Sequence, residues 1–387
     1  MKKDQVIIKK SNIKLFLSAL LENRPISRTE LSKKIDISPT SITRISSLLI
    51  SKGLIVETET TGKGVGRHAV MLDTVPGSAY ALGIELKSHS VNFAVTDLHG
   101  DCIDFKEVKC NIADYAIEDF AKKIYDDGME VISSNNISYE KIIGIGVAVP
   151  GIVNHKNDTV ELSTQLKWKN QSILPYLRPL FNKPMIIEND TKAKIRGEKA
   201  LHNIPYGIDS AVVSIGSGLS AAAVSHENIV RGFRNAAGEI GHISVEADGI
   251  LCDCGSHGCL QTRLCDKFIL AEAQKHDKDI SSIAQIVDAY NNNVLWAAEI
   301  MGKFKSAYYM TLDILESCYN PAVIIVSGQV VESKKHLLEQ WASEYLKIKD
   351  HTVSVLVTTA SNHTAAAGCS IIALDTFITD LFDDINI

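Results

Sequence analysis

The sequence predicts an α/β protein with a small helical unit at its head and a metal-held loop in its larger part, on three observations. Residues 1–73 carry 13 Lys/Arg against 7 Asp/Glu, whereas the remainder carries 27 against 39. Beyond residue 80, an order of three β-rich runs followed by helices occurs twice. Cys252, Cys254 and Cys259 then place three thiols within eight residues. A chain of 387 residues is too long for one ordinary core and points to two or three domains. The boundaries expected are 1–73, a linker at 74–79, and a two-lobed unit over 80–387.

The head comes first. From Ser11 to Asn23, Ile13, Phe16, Leu17, Leu20 and Leu21 form one helical stripe, which Pro25 ends. Ser27 with Glu30 three residues later is a capping box for a second helix, with Leu31 and Ile35 facing inward. Ser38-Pro39 opens a third helix as N-cap and first helical residue, running to about Lys52 before Gly53. Its inner face is Ile42, Ile45, Leu48 and Leu49; Thr40, Ser41, Thr43 and Arg44 are left outside. Two β-type runs follow, Leu54–Glu59 and His68–Leu72, around a glycine-rich loop carrying Lys63 and Arg67.

Three short helices with a tight central turn, followed by such a loop, form a winged helix-turn-helix. The first turns of the third helix reach base edges in the major groove, and a basic residue between glycines enters a minor groove. The basic excess suits a polyanion. A three-helix protein-interaction module is the competing reading.

After Val75-Pro76-Gly77-Ser78, residues 80–87, 90–97 and 102–109 read as strands, 114–133 as a helix, and Ile142–Val149 as a buried strand before Pro150-Gly151. The second unit has Ser210–Ile215, Gly218–Ser225 and Ile229–Arg231 as strands. A long helix follows at Val294–Cys318, then strands at Ala322–Val326 and Val353–Thr358, and a terminal helix from Ala365 to Phe382. Two such units with a cleft between them suggest a duplicated α/β fold.

Within the second unit lies the cysteine segment. Thiolate and imidazole are the ligands Zn²⁺ prefers, and Cys252, Cys254, Cys259 and His242 make a closed tetrahedral set, hence a structural rather than catalytic metal. Gly255 and Gly258 let the loop turn back on one ion. Cys252 and Cys254 are too close to bridge comfortably as a disulfide. His257 is a rival fourth ligand. Clustered rather than dispersed cysteines, with no apolar signal region at the N-terminus and no segment of membrane-spanning apolar length, predict a cytoplasmic protein without membrane contact.

Glu239-Ile240-Gly241-His242, the Cys252-x-Cys254-Gly-x-x-Gly-Cys259-Leu run, Pro150-Gly151 after a strand, and Glu188-Asn189-Asp190 together resemble the ROK family. The resemblance spans nearly the whole chain. It implies an actin-like, ribonuclease-H-like ATPase fold, shared by sugar kinases and by winged-helix repressors of sugar operons; the head places the chain with the repressors.

The resemblance further implies that Asn189, Asp190 and Glu239 bond sugar hydroxyls, with His242 joining that wall to the zinc loop. Gln261 stands where the family usually has glutamate, which alters the sugar or anomer preferred. Family kinases carry Asp-x-Gly-Gly-Thr at the first phosphate turn. Here the turn is Glu85-Leu86-Lys87-Ser88-His89, and the second, Gly216-Ser217-Gly218-Leu219-Ser220-Ala221-Ala222, is partly alanine-filled.

The expectation is therefore a non-enzymatic, sugar-responsive repressor of carbohydrate genes. It would act as a homodimer or homotetramer, released from operator DNA by a sugar or sugar phosphate. The alternatives are a sugar kinase with an added DNA-binding domain, and a regulator controlled by a protein partner on the zinc loop.

Overall fold

In the computed structural model, which describes residues 2–59, 70–205, 207–348, 352–359 and 363–382, the head begins with α1 (Lys2–Asn23). This helix starts nearly three turns before the apolar stripe that predicted it. A two-residue strand β1 (Ile26–Ser27) leads into α2 (Arg28–Ile35), whose Ser27–Glu30 capping box is formed as expected. Helix α3 (Pro39–Ser51) is capped by Ser38. Strands β2 (Ile55–Glu59) and β3 (Val70–Thr74) pair antiparallel, and β1 joins them at β3. The loop between β2 and β3, with Lys63 and Arg67, lies outside the described residues.

Ile13, Phe16, Leu20, Leu31, Ile42 and Leu49 are fully buried in the head, each at the helical position its spacing predicts. The same apolar cluster continues into the large part through Ala79, Leu98, Leu374 and Ile378. Polar contacts reinforce that seam: the Arg24 guanidinium meets the His99 ring, and Thr74 Oγ1 lies 2.7 Å from His99 Nε2.

The first lobe is β4 (Tyr80–Lys87), β5 (Ser90–Asp97), β6 (Cys102–Lys109), α4 (Ile117–Ser134) and β7 (Ile142–Val149). A small antiparallel sheet of β8 (Ile152–Asn154), β9 (Thr159–Ser163) and β10 (Trp168–Gln171) is then added, followed by α5 (Leu174–Phe181) and β11 (Met185–Asn189). Helix α6 (Asp190–Leu201) crosses to the second lobe.

That lobe holds β12 (Ser210–Ile215), β13 (Leu219–Ser225), β14 (Asn228–Ile229), the cysteine loop, α7 (Asp266–Ala273), α8 (Ile283–Asn291) and α9 (Leu295–Tyr319). It closes with β15 (Val323–Ser327), α10 (Gln329–Ile348), β16 (Ser354–Val357) and α11 (Thr364–Phe377).

The two main sheets have orders β11-β7-β4-β5-β6 and β16-β15-β12-β13-β14. In each, a three-strand antiparallel meander gains two parallel strands on the side of its first strand. This is the duplication read from the sequence. Helices α6 and α11 lie between the sheets and touch backbone to backbone. A Cβ on Gly197 would stand 1.9 Å from the Thr364 carbonyl oxygen, and one on Gly368 1.9 Å from that of Ala193, so both positions exclude any side chain.

This packing corrects one expectation. Thr364–Leu381 is long and apolar enough by composition for a membrane span, yet 67% of it is buried inside the fold as the helix between the lobes. Its alanines fit that close approach.

Candidate functional site

The cysteine loop brings together the four groups predicted. One ligand atom each of His242, Cys252, Cys254 and Cys259 lies within 4.8 Å of the others. Cys254 and Cys259 sulfurs are 3.6 Å apart, and Cys252 Sγ is 3.8 Å from His242 Nδ1. A tetrahedron with metal–sulfur bonds of about 2.3 Å has sulfur–sulfur edges of about 3.8 Å, so the donor set fits a zinc-sized ion. The backbone enforces the turn: Gly258 has φ +66°, and a Cβ there would lie 1.7 Å from the Glu246 carbonyl oxygen. The Ser256 backbone N–H favours the Cys254 thiolate, lowering its pKa to about 6, whereas burial pushes Cys259 to about 12. The rival ligand His257 is exposed, and its Nδ1 lies 3.0 Å from the Gly249 carbonyl oxygen, outside the cluster.

Asn189 and Asp190 sit where β11 turns into α6. Asn189 is the N-cap: its Oδ1 accepts from the Lys192 N–H at 3.0 Å, while Nδ2 donates to the Gly151 carbonyl at 2.9 Å. The turn role open to any Asx residue is therefore realised at Asn189. Its amide also donates to Asp190 Oδ1 at 3.1 Å, and the Thr191 N–H donates to the same oxygen at 2.8 Å, fixing that carboxylate. Burial raises the Asp190 pKa against the pull of Lys194. Glu239, the residue before the 3₁₀ turn Ile240–His242, is likewise raised by burial; Lys192 and His242 oppose the rise and Asp190 adds to it.

Sequence reasoning missed the network beneath them. Glu188 is 1% exposed and pairs with Arg231 and with His155, whose Nε2 is 3.3 Å away. Asn235 Nδ2 donates to the Val153 carbonyl at 3.1 Å and meets His155 Nε2 at 2.8 Å, and the Asn235 backbone carbonyl accepts from buried Lys192 Nζ at 2.9 Å. Glu188 adjoins the Asn189-Asp190 pair, but its partner is 43 residues distant, and no local pattern announces a contact of that range.

At the turn Glu85–His89, Glu85 is buried, accepts from Asn92 Nδ2 at 2.9 Å, and has its pKa raised by burial. Lys194 Nζ donates to Ser214 Oγ at 3.0 Å, and its charge favours ionised Glu85, Asp190 and Glu198. An ammonium thus lies among these carboxylates, beside the strand that enters the second glycine turn. Gln261 is buried next to the cysteine loop, with Nε2 3.0 Å from Cys252 Sγ.

On the head, Thr40, Thr43 and Arg44 are exposed and Ser41 half-buried, all on α3 opposite its buried Ile42, Ile45 and Leu49. Thr43 Oγ1 donates to the Pro39 carbonyl at 2.9 Å.

A winged helix-turn-helix ahead of a two-lobed, actin-like body with a Cys₃His loop beside its cleft is a nucleic-acid-binding type of head on an ATPase-type frame. The chain belongs to the ROK family, whose model matches residues 81–376; a model described as winged helix-turn-helix DNA-binding matches residues 17–56. It is 25% identical over 382 residues to the xylose repressor of Bacillus subtilis strain 168, covering 97% of this chain and 98% of that one. It is 25% identical over 323 residues to the DNA-binding transcriptional dual regulator NagC of Escherichia coli strain K12, covering 81% and 79%. Its fold matches the crystal structure of a ROK family transcriptional regulator, a homolog of the E. coli MLC protein. That match has a TM-score of 0.80 at 23% identity and covers 97% and 98% of the two chains.

Proposed function

We propose that this chain is a DNA-binding transcriptional repressor whose affinity for its operator is set by a sugar or sugar phosphate held between the lobes, and that it does not phosphorylate that sugar. The single observation that carries the reading is a contrast within one cleft. Asp190 is held as a hydrogen-bond acceptor by Asn189 and the Thr191 N–H, with Glu239 close enough for the Asp190 charge to raise its pKa, whereas the turn Glu85–His89 has no glycine and Lys194 lies beside the strand that enters the Gly216–Gly218 turn. Full-length similarity to a xylose repressor supports the same conclusion.

Asp190 and Glu239 would bond hydroxyls, which suit acceptors that are partly desolvated. Asn189 would hold Asp190 in place, and His242 and Gln261 would connect that wall to the metal. His242, Cys252, Cys254 and Cys259 would hold one Zn²⁺, which with four protein ligands supplies a cross-link rather than a reactive centre. Residues 1–73 would contact DNA through Thr40, Ser41, Thr43 and Arg44, with Lys63 and Arg67 on the wing. Residues 80–387 would bind the effector and self-associate in the cytoplasm as a dimer or tetramer. Lobe closure would then change the spacing of paired recognition helices, which must match half-sites on the DNA repeat.

The test pairs two measurements on the full chain. Operator binding should weaken when the effector sugar is added, and ATP with the same sugar should give no ADP. Stoichiometric ADP release would install the kinase reading instead. Operator binding that no sugar alters would favour control by a protein partner at the zinc loop.

A further inference from the structure

The head is tied to the body at two points along α1, and a cleft opens beside that helix. Ile13, Phe16, Leu17 and Leu20 of α1 turn into the head core. Ser11, Lys14, Leu15 and Ser18 recur at the same three- and four-residue spacing on the opposite face and line the cleft, which encloses about 1040 Å³. Arg196 and Lys199 of α6, Glu227 in the β13–β14 turn and Asp375 on α11 line it from the body.

The two walls are held differently. On the body side, Glu227 accepts from Arg196 Nη1 at 2.8 Å and from Lys199 Nζ at 3.2 Å, and the contacts at Gly197 and Gly368 lock α6 to α11. On the head side, Lys10 Nζ donates to Asp380 Oδ1 at 2.7 Å, and Arg24, just past the helix end, meets His99. Those two ties lie about 20 Å apart along the helix axis at 1.5 Å per residue. They leave rotation about that line as the least restrained motion of the head, with the apolar side chains of Leu374 and Ile378 as a non-directional surface beneath it.

Among the described residues, neither Lys14 nor Asp375 has an ion pair or a hydrogen bond. Burial in the cleft wall raises the Asp375 pKa, and the charges of Arg196 and Lys14 oppose the rise. The Lys14 ammonium is therefore within electrostatic reach of that carboxylate and not in contact with it.

We propose that the head turns about α1 to close this cleft, that Lys14 pairs with Asp375 in the closed position, and that operator DNA selects one of the two positions. Helix α6 carries Asp190 in its first turn and the cleft wall roughly 14 Å further along. An effector at Asp190 thus has one rigid helix through which to move that wall. This last step rests on the effector reading above; the turning of the head does not.

The experiment compares operator affinity, by fluorescence anisotropy, in full-length wild type, Lys14→Ala, Asp375→Asn, the two combined, and the exchanged pair Lys14→Asp with Asp375→Lys. An ion pair formed in only one head position biases the balance between the two. Each single variant should therefore shift operator affinity by about 2–5-fold in the same direction, and the combined variant should shift it no further. The exchanged pair should return to wild-type affinity. A Lys14 that met DNA phosphate instead would weaken binding on its own, with Asp375→Asn unaffected and the exchanged pair impaired. That pattern, additive shifts, or unchanged affinity in both single variants would overturn the proposal. Where D-xylose binds wild type, linkage requires both single variants to change its affinity in the sense opposite to operator affinity. Unchanged sugar affinity would overturn the effector step. If D-xylose does not bind wild type, that step falls with the effector reading, while the operator cycle still decides whether the head turns.

Discussion

Glu188, at the end of the first lobe's outer strand, and Arg231, in the loop after β14 of the second lobe, form an ion pair that ties the lobes together beside Asn189 and Asp190. Burial alone would push the Glu188 carboxyl up. The His155 ring and the Arg231 guanidinium outweigh it and hold the pKa at about 2. A charge this deep is tolerable only while its partners remain.

Arg231→Ala should therefore cost about 1–3 kcal/mol, because it leaves the buried carboxylate with only His155 and Asn235 as partners. Glu188→Gln should cost less, since it removes the charge with its partner. Urea unfolding at neutral pH reads both. The pH dependence has a definite sign: with the folded pKa below the ordinary 4.5, this contribution is complete above 4.5 and is lost as pH falls toward and through about 2. Wild type should lose more stability on acidification than Glu188→Gln, and equal losses would remove Glu188 from the account.

The metal prediction is quantitative. Protein purified without chelator should carry about one Zn²⁺ per chain, and chelation should lower its melting temperature because folding and metal binding are linked. Cys252→Ser should reproduce the chelated melting temperature. His257→Ala, at an exposed residue outside the cluster, should leave zinc content unchanged. Loss of zinc in that variant would instead make His257 a ligand.

DNA binding should depend on basic residues of the head. Arg44→Ala should weaken operator binding by about 1–3 kcal/mol if it reads a base edge. Arg67→Ala should weaken operator and random DNA alike if it meets phosphate. Both are read by fluorescence anisotropy across a salt series, in which affinity should fall steeply with added salt. A flat salt response would favour the protein-interaction reading of the three helices.

Much of the fold was legible because local physics fixes it. Ile142–Val149 has strand-forming residues between turn signals and is a strand over those same residues. Ser27 with Glu30 and Ser38 with Pro39 specify two helix starts. The cysteine spacing named four groups that do come together because they sit within 18 residues of one another. The small sheet β8–β10 was not anticipated; its strands are three to five residues long and half-exposed, too short for a periodic signal. Strand β11 and helices α5, α6, α7, α8 and α10 also went unassigned. At the site, the acidic residues were nameable in advance, but Arg231, His155 and Asn235 were not. Their roles arise from lobe packing, which brings together residues up to 82 positions apart.

The effector prediction separates the readings most sharply. Asp190 has one oxygen held by Asn189 and the Thr191 N–H, so its carboxylate is pre-positioned rather than free to rotate. A hydroxyl bonded to such a charged acceptor contributes on the order of 1.5–3 kcal/mol, so Asp190→Ala should reduce sugar affinity tenfold or more. Asp190 lies in the large domain, away from the exposed face of α3, so the same variant should bind operator as wild type does. The expected phenotype is repression that sugar no longer relieves. A titration of the sugar that best raises the melting temperature, run with and without operator, measures both effects. Loss of DNA binding in Asp190→Ala would mean that the residue supports the fold rather than the switch. Unchanged sugar affinity would move the effector away from this end of α6.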